Sequence, residues 1–381
     1  MRPIRILIAT HSPLSSKFGA GQMAINLAEA LREQGHQVIL WSPHPMSNLT
    51  RWWQNLQCLQ LMRTKLEEFL DNQEPFDVID CVGVLITKKV SQSGLVVARS
   101  VQPDILYIIS GLVNPQDNAL KKLALLPFNC LFGLAYILLL LQGWTRATYI
   151  LCLGSLELEW MSKWFPWWRS KLFFYFNAIS KDEQLELAKI RLNRIQQNWV
   201  KVRFIWIGRW VSHKGIKELV EFIIHRTVSN SKDTFTIAGC GTGVDKSFPP
   251  ELIKLGKLKI IPSFERSELY SLLADHDAGL FTSKIEGWGL ILNEMLESGM
   301  PVFATHAGGV SDLELFFDTL MPFPPPKQFT PNFFESSQKL EDYYISCSWD
   351  KIADIYIGKV VGNGLREVQM KFESLPNFKN I

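Results

Sequence analysis

The stretch 284-KIEGWGLILNEMLESGMPVFATHAGG-309 carries two glutamates, Glu286 and Glu294, with a Gly-Trp-Gly triplet between them and a helix-periodic apolar run behind. The residues before it, 278-AGLFTS-283, and inside its end, 301-PVFAT-305, are short apolar runs of the kind that form buried strands. The whole therefore reads as strand, glycine-rich loop, helix from about Leu290 to Ser298, and strand. A strand that returns in the same direction after a helix belongs to a parallel sheet covered on both faces.

The same alternation extends outward. Upstream lie the strand 202-VRFIWIG-208, the helix 215-GIKELVEFIIHRT-227, the strands 234-TFTIAG-239 and 258-LKIIPS-263, and the helix 266-RSELYSLLADHD-277. In the first half, 4-IRILIAT-10 is a strand, 19-GAGQMAINLAEALREQGH-36 reads as a loop opening an amphipathic helix closed by Gly35, and 37-QVILWS-42 is the next strand. Further strands are expected at 77–82, 95–100, 148–153 and 172–176. The fold class expected is α/β, with two Rossmann-like doubly wound domains in series whose carboxyl-end loops face each other across a cleft, where open α/β sheets place ligands. The expected division is 1–180, 198–360 and a tail or helix, 361–381, packing back on the first domain.

A chain of 381 residues exceeds one compact core, and 20% charged with 47% hydrophobic residues is the composition of a globular protein. The net charge of +3, from 40 Lys+Arg against 37 Asp+Glu, is too balanced for a nucleic-acid partner. Six scattered cysteines without C-x-x-C pairs read as buried thiols in a reducing compartment, and MRPIRILIATHS lacks a cleavage site, so a cytoplasmic location is expected. Two segments depart from that pattern. The run 123-LALLPFNCLFGLAYILLLL-141 approaches the length of a bilayer span but is interrupted by Pro127, Asn129 and Gly133; it reads equally as a buried helix or a membrane-contacting one. Close by, 160-WMSKWFPWWRSK-171 mixes four tryptophans with Lys163, Arg169 and Lys171, which suits a headgroup interface. Together they point to peripheral attachment at the inner membrane face.

The chemistry concentrates at the ends of strands in the second half. Gly287 and Gly289 let the backbone approach a ligand, and a helix opening at Leu290 offers amides and a positive dipole end to an anion. Glu294 stands about one turn into that helix, so two carboxylates would line one pocket and accept hydrogen bonds from vicinal sugar hydroxyls. Cations for a diphosphate are expected from 207-IGRWVSHKG-215, where Arg209 and Lys214 lie on a strand-to-helix loop. Fixed cations of this kind stabilise a leaving group that departs with negative charge.

The ordered set of Gly-Arg-Trp-Val-Ser-His-Lys-Gly, 237-IAGCGTG-243, Glu286…Glu294 and 299-GMPVFATHAGG-309 resembles the retaining GT-B glycosyltransferases of the family 4 type, glycosyl transferases group 1, most strongly over 203–312. The resemblance implies transfer of a sugar from a nucleotide-diphosphate donor to a hydroxyl acceptor, with retention and without metal or other cofactor. It implies that Arg209 and Lys214 hold and stabilise the diphosphate. Glu286, with the backbone of Gly287, Trp288, Gly289 and Leu290, would hold the transferred sugar and the distal phosphate. Glu294 would bind the ribose, Gly239 and Gly241 would border the nucleotide, and Gly19 and Gly21 would let the first domain close on the phosphates and the acceptor. A lipid-linked or cell-surface glycan acceptor is the partner expected from the two unusual segments.

Departures keep a second reading open. Many relatives carry a histidine in the loop that here reads 97-VARSVQPD-104, where this chain offers Ser100 and Gln102; His11 would be a substitute. A non-catalytic nucleotide-binding or partner subunit of the same fold is the alternative, ahead of an epimerase or a phosphorylase. Asp275-His276-Asp277 imitates a metal-binding D-x-D but ends a helix instead of a strand, so no metal is expected there. Glu297 is expected on the solvent face, His213 is given no role, and Arg99 reads either as ligand-facing or as capping the sheet.

Overall fold

The computed structural model describes residues 3–15, 19–44, 52–112, 119–194, 201–229, 232–327 and 337–361. The chain divides into two compact units, Met1–Asn177 with Cys347–Ile381, and Ala178–Ser346. In the first, strands β1 (Arg5–Ala9), β2 (Gln37–Trp41), β3 (Val78–Val82), β4 (Leu95–Arg99), β5 (Tyr149–Leu153) and β6 (Leu172–Tyr175) alternate with helices. Those helices are α1 (Gly19–Glu33), α2 (Trp52–Asp71), α3 (Lys88–Gln92), α4 (Asp104–Gly111), α5 (Ala119–Arg146) and α6 (Ser155–Trp164). All pairings are parallel, in the order β2-β1-β3-β4-β5-β6. The apolar runs that mark these strands in the sequence follow from burial on both faces, as with Ile6, Leu7, Ile79 and Val97.

The second unit opens with α7 (Lys181–Arg194) and continues β7 (Arg203–Ile207), α8 (Ile216–Ser229), β8 (Thr234–Ala238), α9 (Pro250–Lys254), β9 (Leu258–Ile261), α10 (Glu268–Ala274) and β10 (Ala278–Phe281). Then come α11 (Leu290–Glu297), β11 (Val302–Ala304), α12 (Val310–Leu313), β12 (Leu320–Pro322) and α13 (Ser337–Ser346). This sheet is parallel too, ordered β12-β11-β10-β7-β8-β9.

The last described helix, α14 (Trp349–Val361), clusters with the first unit and not with residues 198–360 as the sequence suggested. Its side chains explain why. Tyr356 lies 5.6 Å from the Arg99 guanidinium, Lys359 stands over the rings of Tyr149 and Phe173, and Gln34, just past α1, donates to Asp354. The tail beyond residue 361 lies outside the described residues. Two smaller differences are local: α1 begins at Gly19 itself, so 19–22 is helix and not loop, and β12 was not anticipated.

Helix α5 is held to its unit along one face by a glycine. A Cβ on Gly143 would sit 1.9 Å from the carbonyl oxygen of Gly83, so only glycine allows this approach. Beneath α11 runs a buried polar chain. Trp288 Nε1 donates to Asn293 Oδ1 at 2.8 Å, Asn293 Nδ2 to the Tyr343 hydroxyl at 2.6 Å, and that hydroxyl to Glu297 Oε1 at 2.5 Å. Glu297 is thus fully buried, contrary to its expected solvent position, because Tyr343 of α13 and Arg191 of α7 close over it. Burial pushes its carboxyl up to about 8, against the Tyr343 hydroxyl and Arg191, which pull it down.

Two measurements check this packing. Gly143→Ala should cost ~1–3 kcal/mol by overpacking in urea unfolding, while Leu138→Gln on the exposed face of the same helix should cost under ~0.5 kcal/mol. For Glu297 the folded carboxyl, raised from 4.5 to about 8, holds a proton that the unfolded chain releases. Its contribution is complete below about 4.5 and is lost as pH rises through about 8, so Glu297→Gln should flatten the decline in stability between those values.

Candidate functional site

The loops that follow β7, β8, β10 and β11 all leave the carboxyl edge of the second sheet. Two of them are fastened together at one close contact. Gly215 has φ +66° and its backbone is so near the end of β10 that a Cβ would lie 1.8 Å from the Thr282 carbonyl oxygen. Around it, Thr282 Oγ1 donates to Lys214 O at 2.8 Å and accepts from Trp206 Nε1 at 3.1 Å, while Lys284 N donates to His213 O at 2.7 Å. The backbone on either side of Lys214 is thereby fixed against the loop that carries Glu286.

The Lys214 ammonium pairs with the Glu286 carboxylate, whose Oε2 also accepts from Ser283 Oγ at 3.1 Å. Their side chains are 15% and 12% exposed, so the pair is largely screened from water yet open at one side. The aliphatic part of Glu286 lies over glycine backbone: a Cβ on Gly289 would be 3.4 Å from its Cγ, and one on Gly308 3.1 Å from its Cβ. Gly289, at φ +89°, is the N-cap of α11, and its carbonyl accepts from Leu292 N at 2.8 Å. The amides of Leu290 and Ile291 precede that first bond and, like the leading amides of any helix, lack an intrahelical acceptor.

Arg209 stands exposed on the β7–α8 loop, and among the described residues its guanidinium has no ion-pair or hydrogen-bond partner. Half-buried His213 feels both cations. Its pKa is lowered first by burial and then by Lys214 and, more weakly, Arg209, with Glu286 opposing. The influence of both cations on His213 was not anticipated from the sequence.

Other expected site residues also have structural contacts of their own. The Trp288 indole turns into the core, where a Cβ on Gly309 would come within 2.7 Å of its ring, and its carbonyl accepts from Gly309 N at 2.9 Å. Only backbone N–H groups of 287–290 therefore remain for a ligand. Gly239 and Gly241 have φ +70° and +77°, and their amides donate to Ile261 O and Pro262 O, both at 2.9 Å, so they shape the turn after β8 and do not offer those amides to a phosphate. Gly21 is buried in the first turn of α1, with its Cβ position 2.5 Å from Pro13 O; it serves the approach of its own loop, while Gly19 is exposed at the helix start.

Glu294 stands apart from the Lys214–Glu286 pair. It is almost fully buried and paired with Arg266, which also holds Glu183 of α7 through Nη2 at 2.6 Å and Nε at 3.1 Å. Burial raises the Glu294 pKa and Arg266 lowers it. The two glutamates thus answer to different cations, Glu286 to Lys214 and Glu294 to Arg266, and Glu294 Oε1 is engaged before any ligand arrives. Arg266 and Glu183 were missed. The signal for Arg266 was present, since it follows β9 on a strand-to-helix loop just as Arg209 follows β7.

In the first unit, Arg99 faces inward as a sheet residue: its Nε donates to Asp80 Oδ1 at 2.8 Å and Nη2 to Asp80 Oδ2. Ser100 Oγ lies 2.6 Å from Glu157 Oε1 and 2.8 Å from Gln102 O, and Glu157 Oε2 also accepts from Leu153 N at 2.6 Å. Burial pushes Glu157 and Asp104 up to about 7 each, with the Ser100 contact opposing at Glu157 and Gln102 at Asp104. Burial, helped by His44, holds His11 below the usual histidine value. The Asp275-His276-Asp277 triplet is occupied structurally: Asp277 forks onto Arg203, and His276 Nε2 lies 2.7 Å from Thr236 Oγ1.

The family described as Glycosyl transferases group 1 matches residues 201–316, the stretch that contains every element of the Lys214–Glu286 arrangement. The chain is 27% identical over 148 residues to an uncharacterized 41.2 kDa protein in the cps region of Klebsiella pneumoniae, covering 38% of this chain and 39% of that one. It is 36% identical over 110 residues to a sucrose synthase of Melioribacter roseus, covering 27% and 13%. It spans well under half the length of these curated relatives. Among solved structures, the sucrose-phosphate synthase of Thermosynechococcus elongatus aligns with TM-score 0.61 and 12% identity over 97% of this chain and 99% of that one. HepE of Anabaena, in complex with UDP and glucose, aligns with TM-score 0.50 and 15% identity over 98% and 100%. Likeness at these identities is one of fold. Residues 201–316 are thus similar to glycosyl transferases group 1, within a chain that has the GT-B fold of two α/β units, each built on a parallel sheet.

Proposed function

We propose that this chain is a glycosyltransferase that moves a hexosyl group from a nucleotide-diphosphate sugar to a hydroxyl acceptor, with retention of configuration. The Lys214–Glu286 pair, seated at the opening of α11 with Arg209 exposed on the adjoining strand-end loop, carries this reading. The diphosphate is held by Arg209 and Lys214, which act as fixed cations where a metal ion would otherwise neutralise the leaving group. Leading amides of α11 take the distal phosphate oxygens. Glu286, released from part of its bond to Lys214 as the phosphate competes for the ammonium, accepts hydrogen bonds from the hydroxyls of the transferred sugar.

The reaction breaks the bond between the anomeric carbon and the donor phosphate oxygen and forms one to the acceptor oxygen on the same face. The acceptor's proton passes to the departing phosphate, so no protein nucleophile is needed. Support for a nucleotide-sugar donor comes from the HepE complex, which contains UDP and glucose. A lipid-linked or cell-surface glycan is the acceptor proposed, in keeping with the relative in a cps region. Glu294 and Arg266 together form the ribose end of the site, with Arg266 orienting the carboxylate.

A second reading, a nucleotide-binding subunit without turnover, has one observation in its favour: the loop after β4 presents Ser100, and its hydroxyl is already taken by Glu157. Purified protein incubated with labelled UDP-sugars and a polyprenyl-linked acceptor separates the two. The enzyme reading expects a product whose anomeric proton coupling matches the donor, undiminished by EDTA. It expects Glu286→Ala to lower turnover ~10²–10³-fold while nucleotide affinity stays within about twofold. Nucleotide binding with no transfer to any acceptor, in the wild type, would leave the subunit reading standing instead.

A further inference from the structure

Helix α5 has one face more than its own unit can use. Ala124–Arg146 is long and apolar enough to cross a membrane, yet only 11% of its most apolar 18-residue window is buried. The inward face is fixed: Leu140 and Trp144 are buried, Gly143 meets Gly83, and Asn129 Nδ2 donates to Leu112 O at 2.9 Å. The outward face carries Phe128, Leu131, Leu134 and Leu138, spaced by three, three and four residues and 47%, 62%, 55% and 57% exposed. Beside it on α4, which packs against α5, Ile109 is 54% exposed. A surface helix in water places polar residues at such positions.

A second exposed apolar segment of the same unit, anchored at the carboxyl end of α5, indicates the occupant. Trp144 packs edge-on against Phe165 and Trp168, which anchors the segment after α6, and Lys171 Nζ donates to the carbonyls of Thr145 and Ala147 at 2.9 and 2.8 Å. That anchoring leaves Trp164 and Trp167 outward, 60% and 67% exposed, with Lys163 and Arg169 exposed among them and Glu159 the exposed acid on the same stretch. Exposed tryptophan interleaved with lysine and arginine, in the same unit as an exposed leucine stripe, is the chemistry of the boundary between acyl chains and anionic headgroups.

We infer that the outer face of α5 together with the 163–169 segment is a docking surface for an anionic lipid bilayer, on which the first unit lies without crossing. Lying on the surface fits the inward contacts of Asn129, Leu140 and Gly143, which put protein on one side of the helix. The stripe enters the acyl boundary, Trp164 and Trp167 sit at headgroup depth, and Lys163 and Arg169 meet the lipid phosphates. This surface is independent of sugar transfer, so it stands or falls separately from the function proposed above.

Co-sedimentation of the full chain with vesicles tests it, using phosphatidylcholine alone and phosphatidylcholine mixed with phosphatidylglycerol, in the absence of donor. The wild type should partition onto the mixed vesicles, less so at high salt, with a blue shift of tryptophan emission. The double variant Leu131→Glu/Leu138→Glu should lose at least about tenfold in partition, from the exposed apolar area it removes. Lys163→Glu/Arg169→Glu should lose about fivefold per residue on mixed vesicles alone. Trp167→Ala gives a second apolar variant, and Leu185→Glu, exposed on α7, should change nothing. Unchanged circular dichroism qualifies each variant. Failure of the wild type to bind either vesicle, equal binding by the folded leucine variant, or a dimer that this variant dissolves without vesicle binding would each overturn the inference.

Discussion

A single steric constraint organises the second unit: the backbone of residue 215 approaches the Thr282 carbonyl so closely that no side chain fits between them. The contact joins the loop after β7 to the loop after β10, two strands that are neighbours in the sheet. Once these loops are joined, Lys214 has one direction to point and meets Glu286 there. The chemistry proposed for the site depends on that enforced neighbourhood, because an exposed lysine and glutamate left to find each other would gain little over water.

Below the loops, the protein spends buried polar groups on holding them still. Trp288 cannot swing toward a ligand, since its ring is wedged on Gly309 and its indole nitrogen is tied through Asn293 and Tyr343 to Glu297. Four side chains from two stretches of the sequence thus behave as one rigid support for the start of α11. Two carboxylates on the same stretch end up in opposite circumstances for the same reason. Glu286 projects from the loop toward a lysine at the edge of the unit, whereas Glu294, one turn inside the helix, is buried and must be neutralised by Arg266.

Most of the fold could be read from the chain because parallel strands buried on both faces leave uninterrupted apolar runs, as at 202–208 and 95–100. The three-residue strand β12 has no such run and ends at Pro322, so nothing local announced it. Assignment of α14 to the first unit depends on Tyr356 and Lys359 meeting rings far away in sequence, a long-range fact without local signature. In the site, residue types and strand-end positions picked out Arg209, Lys214 and Glu286. They misjudged Glu297, because a glutamate at helical spacing looks solvent-facing until a tyrosine 46 residues away is known to cover it. The burial of the Trp288 indole had no local signal, since it depends on Gly309, twenty-one residues on, leaving room for the ring.

The proposed function rests on binding of a nucleoside diphosphate at Arg209 and Lys214. Calorimetric titration of the wild type and Arg209→Ala with UDP, GDP, ADP and dTDP tests it most directly. The account expects one of these nucleotides to bind and the substitution to weaken it about 10–100-fold, the worth of charge-assisted hydrogen bonds to phosphate. Binding of none of the four, or equal affinity in the two proteins, would contradict it.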